Sequence, residues 1–140
     1  MGALQRASIS YDQRLRERGA GIYEGKPRLV LWEAEAASGQ PQIEYRPEGG
    51  ESFLDLQARI ESFVESAHER HRGQTVLVLS HGGWNRQLLG QALDLPVDES
   101  LHLAQNNTCV NLVEIDSSRR FTVHLTNCVS HLEPDLSGVN

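Results

Sequence analysis

Thr75-Val76-Leu77-Val78-Leu79-Ser80-His81-Gly82-Gly83-Trp84-Asn85-Arg86 joins an apolar run to a glycine turn and the start of an amphipathic segment. Its first six residues form a continuous apolar run with β-branched members, the pattern of a strand buried on both faces of a helix-covered sheet. Gly82-Gly83 ends the run. A helix from Trp84 to about Leu93 follows, with Trp84, Leu88, Leu89 and Ala92 on its inner face. His81 is therefore predicted at the carboxyl end of a strand, where open α/β sheets bind ligands.

Upstream, Phe53, Leu56, Ile60, Phe63, Val64 and Ala67 recur at helical spacing between Glu51 and about Arg72. Glu51, Asp55, Arg59, Glu65 and Glu69 occupy the opposite face, and Gly73 supplies a stop. An earlier helix is predicted from Pro27, in its first turn, to about Ser38, with Gly39 as its stop. Residues 40–50 carry two prolines and end in Gly-Gly, which reads as a connection. Downstream, strands are predicted at Thr108–Ile115 and Phe121–Thr126, joined by a turn at residues 116–120. The tail after Asn127 reads as irregular. Helix, strand, helix, strand, strand is an α/β order, and 140 residues without linker or repeat fit one domain.

Two groups of residues could carry chemistry. Beside His81, two glycines permit close backbone approach, and the next helix aims its unpaired N–H groups and positive dipole end into the same space. A phosphate suits that geometry, with an imidazolium stabilising its equatorial oxygens. The same residues could equally form an ordinary glycine turn that happens to contain histidine. Glu17 lies among Arg14, Arg16 and Arg18 in a loop with Gly19, Gly21 and Gly25. A carboxyl beside a bound phosphate can give a proton to a leaving alkoxide; a surface ion pair with Arg14 or Arg18 is the plainer alternative. His68 and His71 lie one helical turn apart without a carboxylate or cysteine to complete a metal set, so both read as exposed helix residues. His102, His124 and His131 receive no role.

A net charge of −6 disfavours non-specific binding to nucleic acid or an anionic membrane. It leaves room for a small phosphorylated ligand, because Arg14, Arg16, Arg18 and Lys26 form a local basic excess. No apolar run reaches the ~20 residues of a membrane span. MGALQRASIS has no signal-peptide core, and Met1-Gly2 is only the start of a myristoylation pattern that Ala7 does not continue at the usual hydroxyl position. Cys109 and Cys128 fit no zinc or redox spacing and read as buried, reduced thiols. The expectation is a soluble cytoplasmic protein. No signal sets an oligomeric state.

Leu79-Ser80-His81-Gly82-Gly83, with Arg86 following, resembles the second-histidine motif of the histidine phosphatase superfamily. Arg14-Leu15-Arg16-Glu17-Arg18 with Gly21 and Glu24-Gly25 resembles its acid/base loop, and Pro47-Glu48-Gly49-Gly50-Glu51-Ser52 is similar to its PGGES helix start with one residue inserted. Within the superfamily, Tyr11 to Arg18, Glu24-Gly25-Lys26 and Asn107-Thr108 look most like the TIGAR-type fructose-2,6-bisphosphatases. The resemblance implies a phosphoglycerate mutase-like three-layer α/β/α fold. It also implies hydrolysis of small phosphorylated sugars through a phosphohistidine, with no metal or other cofactor. Carried over by motif, Glu17 is the proton donor and then the base, and His81 stabilises the phosphoryl charge. Gly82 offers its backbone N–H, and Arg18 touches substrate.

One departure governs what is expected of the chain. The family's nucleophilic histidine lies in an Arg-His-Gly motif on its first strand, and no Arg-His-Gly occurs in these 140 residues. The resemblance thus implies an incomplete domain lacking that strand and helix, its remaining strands left with unpaired edges, and little or no turnover. The alternatives are a non-catalytic phosphate-binding or regulatory short form, or an unrelated α/β protein with a chance Ser-His-Gly-Gly.

Overall fold

The computed structural model describes residues 9–132. The Met1-Gly2 pattern and most of the predicted irregular tail lie outside them. Four helices and one two-stranded sheet follow in the order α1 (Arg28–Ala37), α2 (Phe53–Arg70), α3 (Gly82–Ala92), α4 (Val97–Ser100), β1 (Val110–Ile115) and β2 (Phe121–Cys128). Short 3-10 turns at Gln13–Leu15 and Gly21–Tyr23 shape the loop before α1.

Helix α2 organises the rest. Ser52 caps it through a reciprocal box, its side chain accepting from the Asp55 N–H while Asp55 accepts from the Ser52 N–H. Its apolar face meets α3: Leu56 and Ile60 pack against Trp84, all three sealed from solvent, with Phe53, Phe63, Val64 and Leu88 around them. Phe63 and Trp84 meet edge to face at 5.6 Å between ring centroids. The Trp84 indole N–H donates to the Arg14 carbonyl at 2.8 Å, fastening the loop before α1 to this core.

Sequence-based bounds need small corrections. Pro27 caps α1 rather than lying within it, and α3 begins at Gly82, two residues early. β1 begins at Val110 because Thr108 takes a positive φ of 59° that breaks the extended chain. β2 runs on to Cys128. The hairpin pairs antiparallel, Val113 opposite Val123, with irregular register near Leu112. α4, only four residues long, was not foreseen. His68 is half-buried rather than exposed, its Nε2 donating to the Asp116 carbonyl at 3.1 Å and tying α2 to the β1–β2 turn. Both cysteines are free and half-buried.

The larger correction concerns residues 75–80. They are extended, but they form no ladder with another strand among the described residues. Nor are they buried on both faces: Leu77 is 85% and Leu79 80% exposed. A strand exists only through a neighbour about 4.8 Å away, and β1 and β2 satisfy each other. The Ser80 hydroxyl, donating to the Leu15 carbonyl at 2.6 Å, pins the end of the run beside α3. No described helix is long and apolar enough to cross a membrane.

Candidate functional site

The 3-10 turn that launches Glu17 is built by Asp12, which accepts from the Arg14 N–H at 2.8 Å and pairs with the Arg14 guanidinium. Arg14 continues to the Ser62 carbonyl on α2 at 2.8 Å. The loop then interlocks with residues 47–51: Ile22 N–H donates to the Glu48 carbonyl at 3.0 Å, and Glu51 N–H to the Gly19 carbonyl at 2.9 Å. Gly21 sits at the contact with φ 55°, and a side chain there would strike the Glu48 carbonyl.

Glu17 reaches out of this loop to the start of α3, 66 residues away in sequence. Its Oε2 accepts the Gly83 N–H at 3.1 Å, and its Oε1 accepts the Arg18 N–H at 3.0 Å. His81 stands one step earlier, as the extended N-cap residue of α3 (φ −121°, ψ 164°). Its imidazole makes no capping bond and is open to solvent. Gly82 opens the helix, so its N–H has no partner within the helical ladder. Glu17 and His81 line one open cleft of about 940 Å³, together with Arg16, Arg18, Glu48 and Glu51. The two residues singled out in sequence thus meet at one place, at the N-terminus of one helix.

Arg18 is placed differently from its neighbours. Its guanidinium pairs with Glu35 of α1 at 2.6 Å, both side chains less than a tenth exposed, and lies 4.1 Å over the Phe53 ring. Nη1 is buried without a hydrogen-bond partner. Arg18 thus holds α1 against α2 at the edge of the cleft. Arg86 turns its Nε to the Leu103 carbonyl at 2.8 Å.

The cleft carries four carboxylates (Glu17, Glu24, Glu48, Glu51) against two arginines, so net charge does not make it an anion site. Glu51 is neutralised by Arg59 and Arg16. Partial burial pushes its carboxyl up; hydrogen bonds from Arg59 and the Gly19 N–H, with the charges of Arg59 and Arg16, outweigh that and hold it below the usual 4.5. What remains to attract a phosphoryl group is directional: the α3 N-terminus, the His81 ring and the half-exposed Arg16. Sequence reading placed Glu51 and Arg59 on the solvent face of a helix; that Glu51, just before the Ser52 cap, and Arg59, eight residues on, both turn toward the Glu17 loop became visible only in three dimensions. His71 cannot join the site. It caps the far end of the 18-residue α2, roughly 27 Å along the axis at about 1.5 Å per residue.

Residues 1–128 match the family model described as histidine phosphatase superfamily (branch 1). The chain belongs to the histidine phosphatase superfamily. Phosphoglycerate mutase-like protein 4 of Arabidopsis thaliana is 30% identical over 133 residues, covering 87% of this chain and 54% of that protein. Fructose-2,6-bisphosphatase TIGAR B of Danio rerio is 39% identical over 59 residues, 42% of this chain and 23% of that protein. Among solved structures, Bacillus stearothermophilus YhfR superposes with a TM-score of 0.76 at 33% identity, covering 87% of this chain and 62% of that one. The mixed α/β fold is that of histidine phosphatases, and the chain spans 54% of the plant relative's length. Likeness to TIGAR-type proteins covers 42% of this chain for the Danio rerio protein and 67%, at 32% identity, for that of Bos taurus, and relatives of this superfamily chain carry names with different substrates.

Proposed function

We propose that this chain is a single histidine phosphatase domain whose cleft receives the phosphoryl group of a small phosphorylated sugar, of the fructose-2,6-bisphosphate kind. His81 and the Gly82 N–H take the phosphoryl oxygens, Glu17 stands where the ester oxygen leaves, and Arg18 borders the sugar. The observation that carries this reading is the convergence of Glu17 and His81 on the first turn of α3. In a turnover-competent site the Glu17 carboxyl gives its proton to the leaving alkoxide and then takes one from water. Stabilisation of the equatorial charge by His81 is the electrostatic part of the same step.

The 140 residues hold no Arg-His-Gly, and His71 is out of reach. The chain as it stands therefore binds phosphate esters without forming a phosphohistidine, and turnover by it alone is negligible. The same feature favours a second reading, a phosphate-binding or regulatory short form. A cytoplasmic site of action fits the two free thiols.

Titration of the chain with inorganic phosphate and with fructose-2,6-bisphosphate, followed by calorimetry and by phosphate release, tests both readings. Saturable binding is expected, weakened about tenfold by His81→Ala, the size of one lost charge-assisted hydrogen bond. Absence of binding, or affinities untouched by both His81→Ala and Glu17→Gln, overturns the site. Brisk phosphate release overturns the inactivity.

A further inference from the structure

Glu17 can meet Gly83 only if the backbone that carries it is fixed, and one side chain of α2 reaches that backbone three times. Arg59 donates from Nη1 to the Arg14 carbonyl at 2.7 Å and the Arg16 carbonyl at 2.8 Å, and from Nη2 to the Glu17 carbonyl at 3.2 Å. Its remaining donors go to Glu51: Nε to Oε1 at 3.0 Å and Nη2 to Oε2 at 2.8 Å. All five guanidinium N–H groups are thereby used, and the side chain is only 11% exposed. Glu51 grips the other side of the same loop, accepting the Gly19 N–H at 2.9 Å while its own N–H donates to the Gly19 carbonyl.

We infer that Arg59 is the positioning residue for Glu17: its guanidinium, anchored by Glu51, locks residues 14–17 so that the Glu17 carboxylate is held against the first turn of α3. This rests on the cleft reading above for its purpose, but not for its geometry. A planar fork with five fixed donors can bridge three carbonyls and a carboxylate at once. A lysine ammonium, with three donors on one atom, cannot. Two other side chains grip this stretch: the Trp84 indole on the Arg14 carbonyl and the Ser80 hydroxyl on the Leu15 carbonyl act three and two residues before Glu17. They leave the Arg16 and Glu17 carbonyls to Arg59.

The test uses the full chain and two readouts: hydrogen exchange of the Gly83 amide by NMR, which reports its bond to Glu17, and the affinity for inorganic phosphate. In Arg59→Lys the Gly83 amide is expected to exchange about tenfold or more faster, with phosphate bound about tenfold more weakly, as one bond between the parts is lost. Protection of the Ile60 amide, at the centre of α2, is expected to stay within about twofold. With Lys26 replaced by Arg, guanidinylation of the lysine at position 59 gives homoarginine, whose fork should recover part of the Gly83 protection. If Arg59→Lys lowers the unfolding temperature yet leaves Gly83 exchange and phosphate affinity unchanged, the role is merely structural and the inference is overturned. Should Arg59→Lys not fold, Glu51→Gln decides, since it loosens the anchor and keeps every backbone contact possible. A twofold to fivefold faster Gly83 exchange supports the inference, and no change overturns it. Failure of the wild-type chain to bind phosphate would sink the cleft reading alone, because Gly83 exchange is measured without ligand.

Discussion

The Glu17 carboxylate fills the space that a side chain at Gly83 would need: a Cβ there would lie 3.1 Å from Cδ and 3.3 Å from Oε2, and would collide with Oε1. The two residues are complementary in shape as well as bonded. Gly83→Ala sets two effects against each other. Alanine favours the helix by up to about 1 kcal/mol, while its methyl must push the carboxylate out of its place. The displacement is expected to win at the site, weakening phosphate binding about tenfold through the lost Gly83–Glu17 bond. The unfolding temperature should move little. Calorimetric titration beside a melting curve checks both, and tight phosphate binding by Gly83→Ala would contradict the close fit.

Leu56 is fully buried beside Ile60 and Trp84. With so few residues sealed from water, each carries a large share of the core. Leu56→Ala is expected to cost about 2–5 kcal/mol, comparable to the whole margin of a small domain, at about 5–15 kcal/mol. A urea denaturation midpoint, read by Trp84 fluorescence, should drop sharply or the transition vanish. A midpoint within error of the wild type would show that this core does not hold the chain together.

The exposed Leu77 and Leu79 lie on an extended run with no strand beside it among the described residues. Such an edge templates association between copies. Leu77→Lys with Leu79→Lys should raise the concentration at which light scattering first appears, at a stability cost within about 0.5 kcal/mol, since little burial is lost. Equal scattering by wild type and variant would exclude this segment as the sticky surface.

Acid should release the Arg59–Glu51 grip. The folded-state pKa of Glu51 lies below its ordinary 4.5. Its contribution to stability is therefore present above that value and lost as pH falls through the lower folded value. The stability difference between wild type and Glu51→Gln should be full at pH 6 and shrink progressively below pH ~4.5. Asp12 and Asp116, each held at about 2 against an ordinary 3.8 by side-chain hydrogen bonds from Arg14 and Ser118 first, continue the loss toward pH ~2 in both proteins. A difference that grows on acidification would reverse the sign and refute the ion pair as stabilising.

Ser52 is buried at the head of α2. Ser52→Ala removes one half of the capping box and is expected to cost about 1 kcal/mol. Because Glu51 is the preceding residue, Gly83 exchange should quicken as well, which an amide-exchange spectrum would register.

How much of this was legible beforehand depends on the range of the forces involved. The periodicity of Phe53, Leu56, Ile60 and Phe63 places α2 within two residues at each end, because a helix closes its own hydrogen bonds. The β1–β2 hairpin was legible for a similar reason, its partners lying a short turn apart. The run at residues 75–80 carries every local mark of a buried strand, yet pairs with no strand among the described residues. Nothing local supplies the neighbour that a strand requires.

Local pattern along the chain was enough to mark which residues could carry chemistry and where the three longer helices form, since spacing, capping and glycine placement act over a few residues. Tertiary structure alone decided that Glu17 reaches Gly83 across 66 positions, that Arg18 turns to Glu35, and that Arg59 closes on three carbonyls. Those contacts depend on how α2, α3 and the Glu17 loop pack in space, and packing between distant segments leaves no periodic trace in the chain.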